Sequence, residues 1–234
     1  MGQPVKRPYD NSRRLAQARA TRARVLEAAK GLFVEHGYPA TTLEAVAEAA
    51  DVPLPSLYRL FGSKRAVLTA VLEVSFGGDD EPIPFVDRPA VRAALAERDP
   101  VRMVTAFARI GREFMDRSSA ILYVLATAAQ VDAEAAELLT DIRRQRHTGQ
   151  SRIVAALVDR HALAPDLDPQ DAADAVYALM SPDLHRILTV ERGWDADRYE
   201  RWLARSLQSL VRSSNDGAPT HRPRRHQSTK TVEN

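Results

Sequence analysis

Thr41-Thr42-Leu43-Glu44-Ala45-Val46-Ala47-Glu48-Ala49-Ala50-Asp51-Val52-Pro53-Leu54-Pro55-Ser56-Leu57-Tyr58-Arg59-Leu60-Phe61-Gly62-Ser63-Lys64 holds two short helical patterns parted by a tight turn. In the first, Leu43, Val46, Ala47 and Ala50 recur at i, i+3, i+4 and i+7, the apolar face of a helix. Thr41 stands three residues before Glu44, the spacing of a capping box. Asp51 and Val52 make the turn, because aspartate tolerates a left-handed backbone better than most residues. The second pattern starts over Pro53 to Pro55, where a helix has no internal partner for its first N–H groups and proline costs little. Leu57 and Phe61 point inward at i and i+4, leaving Ser56, Tyr58 and Arg59 on other faces.

Outward from this pair, Val25, Leu26, Ala29, Leu32 and Phe33 form the stripe of a helix from about Ala20 to His36, with Gly37 placed as its stop. After Gly62, Ser63 is placed to cap a further helix carrying Val67, Leu68, Val71 and Leu72. Helix, short turn, helix across a third helix is the helix-turn-helix arrangement, whose second helix can enter the major groove of DNA.

The ordered set Lys30-Gly31-Leu32-Phe33-Val34-Glu35-His36-Gly37-Tyr38, Thr41-Thr42-Leu43, Ala49-Ala50-Asp51-Val52 and Leu57-Tyr58-Arg59-Leu60-Phe61-Gly62-Ser63-Lys64 resembles the DNA-binding domain of the TetR family of bacterial transcriptional regulators. The likeness runs from about Ala20 to Leu72. It implies DNA contacts from Arg19, Arg22, Thr41, Thr42, Leu54, Pro55, Ser56, Tyr58, Arg59 and Lys64. Lys64, in a first helical turn, is expected to meet a backbone phosphate. Three positions depart from the family pattern: Asp51 replaces a usual glycine, Pro53 a capping serine, and Leu60 a histidine or tyrosine that often touches phosphate.

The 234 residues suffice for a sizeable core. No apolar run reaches the roughly 18 residues of a membrane span, and Met1 to Arg14 lacks the apolar segment of a signal peptide. With no cysteine, disulfides and thiolate chemistry are excluded, which fits a cytoplasmic location. Residues 1–76 hold 11 Lys/Arg against 7 Asp/Glu, whereas 77–212 hold 18 against 22, so the basic excess lies with the helix-turn-helix.

Residues 1–18 read as a flexible basic arm, 19–76 as the DNA-binding head, 77–212 as a helical effector-binding and dimerisation domain, and 213–234 as a disordered tail. Within 77–212 the pattern predicts helices over about 100–116 and 120–130, a long helix over 133–161, one from Pro169 broken at Ser181-Pro182, and a last one from Asp195. The fold class is therefore all-α: a three-helix head plus a larger helical domain. The resemblance implies a pocket among the middle helices, for which Phe107, Phe114, Tyr123, Thr127, Gln130 and Tyr177 are the candidate lining residues. It also implies a homodimer built on the last two helical segments, with Trp202, Leu203, Leu207 and Leu210 at the interface.

Phosphate-binding loops, His-Glu-x-x-His and Gly-x-Ser-x-Gly are all missing and the six histidines are scattered, so no enzyme, metal or cofactor is expected. The expectation is a dimeric, ligand-responsive repressor of a near-palindromic operator, its partners being double-stranded DNA and an apolar or amphipathic effector, without a membrane. The alternative is a helical ligand- or protein-binding module whose motif no longer engages DNA.

Overall fold

The computed structural model describes residues 9–79, 81 and 83–212. The expected tail over 213–234 and residues 1–8 of the expected arm lie outside the described residues. Ten α-helices run through the described chain: α1 (Tyr9–Ala40), α2 (Leu43–Ala49), α3 (Leu54–Phe61), α4 (Lys64–Gly77), α5 (Pro89–Ala96), α6 (Pro100–Ala128), α7 (Ala133–Asp159), α8 (Pro169–Leu179), α9 (Pro182–Arg186) and α10 (Ala196–Gln208). A 3-10 turn at Phe85–Asp87 precedes α5, and a π-helical stretch, Ile187–Glu191, follows α9. The pairing nearest to a strand among the described residues is an isolated bridge between Leu163 and Val211.

Two boundaries differ from the sequence expectation. Helix α1 begins at Tyr9, so residues 9–18 are helical rather than a flexible arm. Its helical geometry breaks at Gly37, whose φ of 79° a side chain would resist. Helix α6 is one rod of 29 residues where two helices were expected. The polar run Arg117-Ser118-Ser119 does not interrupt it, because Ser118 is fully buried and donates its hydroxyl to the Phe114 carbonyl at 2.7 Å.

Buried side chains fall into two clusters, and α6 belongs to both. The first joins Val25, Leu26, Ala29 and Phe33 of α1, Leu43, Val46 and Ala47 of α2, Leu57 of α3 and Val67, Leu68 and Val71 of α4 to Ile121, Leu122 and Leu125 of α6. The second joins Met103, Val104, Phe107 and Ala108 of α6 to Ile153, Val154 and Leu157 of α7, Ala172, Ala173 and Val176 of α8, and Tyr199, Leu203 and Leu207 of α10.

A polar cluster sits where α6, α9 and α10 meet. Arg112 reaches Asp116 at 2.8 Å and Glu200 at 3.0 Å. Buried His185 lies 3.5 Å from Asp116 and stacks edge-on against the ring of buried Tyr199. Burial holds the imidazole below its ordinary pKa, outweighing the pull of Asp116 in the other direction. The native state thus keeps His185 neutral while the unfolded chain takes up a proton below about pH 6.5, the ordinary imidazole value. Its contribution to stability is complete above that pH and is lost as pH falls toward the folded value. The thermal midpoint should therefore drop between pH 7 and pH 5, and by less in His185→Gln; equal drops in the two proteins would refute the assignment.

Candidate nucleic-acid interface and cavity

The turn between α2 and α3 is closed by main-chain bonds: Asp51 N–H donates to the Glu48 carbonyl at 3.1 Å and Val52 N–H to Ala47 at 3.0 Å. Asp51 has φ 51°, the left-handed conformation read from the sequence. Pro53 precedes α3 without a side-chain cap, and Ser56 and Leu57 donate their N–H groups to its carbonyl instead. The inward anchor of α3 is Leu57, fully buried; Phe61 is half-buried beside it.

The opposite side of α3 is open. Pro55, Tyr58, Arg59 and Leu60 are exposed, Tyr58 at 46 % and Leu60 at 38 %, while Leu54 and Ser56 are half-buried. The Arg59 guanidinium lies 3.4 Å from the Ser56 hydroxyl. Arg19 is exposed on α1, and Arg22, half-buried, lays its guanidinium 5.1 Å over the Phe61 ring. Exposed Thr42 is the true cap of α2, its oxygen accepting from Ala45 N–H at 3.1 Å. That leaves the Thr42 hydroxyl proton free to donate elsewhere.

Two expected contacts need correction. Thr41 is 2 % exposed and donates its hydroxyl toward the carbonyls of Leu32 (3.1 Å) and Gly37 (2.9 Å), so it ties α1 to α2 instead of capping α2 or facing DNA. The Lys64 ammonium donates to the carbonyls of Tyr38 (2.8 Å), Pro39 (3.3 Å) and Thr41 (2.9 Å) and lies 4.5 Å over the Tyr38 ring. An ammonium has three N–H donors, and here each has an acceptor, leaving none for a phosphate.

Behind the head lies a cavity of about 850 Å³. Its walls come from the end of α4 (Val74, Phe76, Gly77), the segment before α5 (Ile83 to Val86), α5 (Val91, Leu95), the middle of α6 (Phe107, Ile110, Gly111, Phe114, Met115, Leu122), α7 (Ile142, Arg146, Gln150, Ile153) and Met180. Phe114 is the centre of an aromatic group, with Phe76 at 5.3 Å and Phe85 at 5.1 Å between ring centroids. Arg88 pins the segment before α5 through two bonds to Asp79, at 2.7 and 2.9 Å, and this bonding holds the Asp79 carboxyl below its ordinary range.

Of the expected lining residues, Phe107 and Phe114 are in the cavity wall. The other four lie elsewhere. Tyr123 is 50 % exposed under the Arg186 guanidinium, Gln130 is exposed, Thr127 donates to the Val124 carbonyl, and Tyr177 packs against Arg146 and His147. Sequence reasoning missed Arg146 and Gln150, although both continue the apolar stripe Ile142, Ile153, Leu157 at helical spacing.

The expected dimer residues also divide. Leu203 and Leu207 are fully buried and Leu210 is 6 % exposed, all within the chain's own second cluster, whereas Trp202 is half-buried against Trp194 and Tyr199. An apolar stripe packs equally well within one chain or between two, and here the three leucines are taken up by the chain's own second cluster.

Residues 25–71 match the family described as bacterial regulatory proteins, tetR family. The HTH-type transcriptional regulator TtgR of Pseudomonas putida is 27 % identical over 207 residues, covering 83 % of this chain and 93 % of that protein. The HTH-type transcriptional repressor KstR of Mycolicibacterium smegmatis is 38 % identical over 82 residues, 35 % of this chain and 37 % of that one. Among solved structures, NalD of Pseudomonas aeruginosa, the secondary repressor of the MexAB-OprM multidrug efflux pump, has the same fold, with a TM-score of 0.61 at 24 % identity over 83 % of this chain and 97 % of that one.

Replacing Lys64 by Ala should lower unfolding stability by about 1.5–3 kcal/mol, the range for hydrogen bonds from a charged group, while leaving the salt dependence of DNA binding unchanged. A flatter salt slope at unchanged stability would restore the phosphate contact. Leu203→Ala should cost about 2–5 kcal/mol in urea unfolding, as for a core leucine; a shift in oligomeric state alone would return this residue to an interface.

Proposed function

We propose that this chain, which belongs to the TetR family of bacterial transcriptional regulators, is a ligand-responsive repressor that binds a near-palindromic operator as a homodimer. The observation that carries this reading is the open face of α3, where Tyr58 and Arg59 stand clear of the protein on a helix fixed from behind by Leu57. Arg59 and Tyr58 reach bases or phosphates; Pro55 and Leu54 offer apolar contact to thymine methyls. Thr42, Arg19 and Arg22 flank this face and meet the backbone. Leu60 supplies no hydrogen bond, so affinity rests more heavily on the others.

Two heads on one duplex must stand about 34–36 Å apart to reach successive major grooves. We assign the dimer contact to the outer sides of α8 and α10 with the π-helical stretch, where Trp202 is half-buried and Ile187 and Val190 are exposed at 39 % and 71 %. The ligand response runs through α4. Its first residue, Lys64, grips the end of α1 and the start of α2, and its last turn, through Phe76, forms part of the cavity wall. An effector that fits the cavity in one setting of α4 better than in another shifts DNA affinity by that difference. No described helix is long and apolar enough to cross a membrane, and the protein acts in the cytoplasm, where its DNA is.

Gel retardation on the DNA upstream of its own gene tests this. The complex should survive excess non-specific competitor, weaken steeply with salt, and lose roughly 1–3 kcal/mol in Arg59→Ala, with sedimentation giving twice the chain mass. Retention that competitor abolishes would favour a helical binding module that no longer reads DNA.

A further inference from the structure

Gln150 is 9 % exposed and lies in the cavity wall, and its side-chain carbonyl oxygen has no hydrogen-bond partner. A buried amide oxygen left in that state is costly, so the site is built for a donor that arrives with something else. One turn earlier on the same face of α7 stands Arg146, also in the wall. Its Nη2 reaches the Tyr177 carbonyl at 3.4 Å, its guanidinium stacks on the Tyr177 ring at 4.2 Å, and its buried Nε has no acceptor. The buried part of the wall around them is carbon and sulfur, from Phe107, Met115, Ile153 and Met180 with Phe114 beside them, and the carboxylates of the wall are exposed.

We infer that the cavity takes an apolar, ring-bearing molecule with one hydroxyl group, and that this hydroxyl docks on the Gln150 carboxamide beside Arg146. The inference rests on the reading of the cavity as the effector site and names the chemistry that site selects. Three headgroups compete, and the residues separate them. A carboxylate accepts from Arg146 but has no proton for the Gln150 oxygen. An ammonium donates to Gln150 but meets the buried guanidinium, and the carboxylates of the wall, Glu73, Asp79 and Glu81, are all exposed, with Asp79 already held by Arg88. A hydroxyl donates to Gln150 and accepts from Arg146 at once. With the carboxamide turned over a hydroxyl still pairs, by accepting from the amide N–H₂, and that is the one orientation in which a carboxylate fits as well. Flat rings fit the remainder, packing on Phe107 and Phe114 and against the thioethers of Met115 and Met180.

The test is a pair of probes of similar shape, 2-naphthol and 2-methoxynaphthalene, titrated calorimetrically into the full-length protein. The wild type should bind the naphthol about tenfold more tightly, since O-methylation removes the donor and leaves Gln150 unpaired. In Gln150→Met the two affinities should come within about twofold of each other, with binding of the methoxy compound retained. If that variant does not fold, Gln150→Leu replaces it, with the same loss of discrimination expected. Equal wild-type affinities, or a preference that survives in the variant, overturn the assignment of the hydroxyl and leave the cavity a ligand site. Binding of neither probe overturns both. Discrimination by Gln150 without any effect of 2-naphthol on operator retention upholds the hydroxyl and counts against the ligand-responsive repressor.

Discussion

One helix holds the molecule together by being packed at both ends into different cores. Over 29 residues, about 43 Å at 1.5 Å per residue, α6 gives Ile121, Leu122 and Leu125 to the cluster behind the DNA-facing helices and Met103, Val104 and Phe107 to the cluster with α7, α8 and α10. A rod fixed in this way cannot tilt at one end without disturbing the other, since close-packed interiors transmit strain. Gly111, Phe114 and Met115 lie midway and face the cavity. The hollow therefore sits where a small displacement of the rod has the longest lever on both cores.

The head is tied to this rod at two points and to α7 at a third. Lys30 of α1 donates to the Arg117 carbonyl of α6 at 3.1 Å, Phe76 of α4 stacks on Phe114, and Arg65 of α4 pairs with Glu134 of α7 at 3.2 Å. None of these is strong alone, and an exposed ion pair is worth little. Their arrangement matters more. The two helices that frame the helix-turn-helix from behind both rest on α6, so the recognition helix takes its position from the rod through α1 and α4.

Local chemistry was legible where a residue acts on its own neighbours. The turn at Asp51, the cap at Ser63 and the inward Leu57 could all be read from spacing, because each depends on residues within a few positions. Contacts made at long range were not. Nothing around Lys64 announces that three carbonyls from residues 38 to 41 will converge on it. The stripe of Leu203, Leu207 and Leu210 reads the same whether it faces its own core or a second chain. In the cavity, aromatics were found by type and polar residues were missed by type. Tyr123 and Tyr177 are large and half-apolar but serve as seats for arginines, while Gln150 sits in a charged run whose character hides its place on the buried stripe.

The chain has only four lysines among its 33 Lys/Arg, and the two in the described residues, Lys30 and Lys64, are both spent on main-chain carbonyls inside the fold. Among the described residues, positive charge on the outer surface is therefore almost wholly guanidinium, which stays ionised at any cellular pH. Among the described residues, lysine acylation, a common way for cells to discharge a basic surface, has only these two half-buried side chains to act on; where it reached Lys64 it would loosen the seating of α1 and α2 and leave the guanidinium charges untouched.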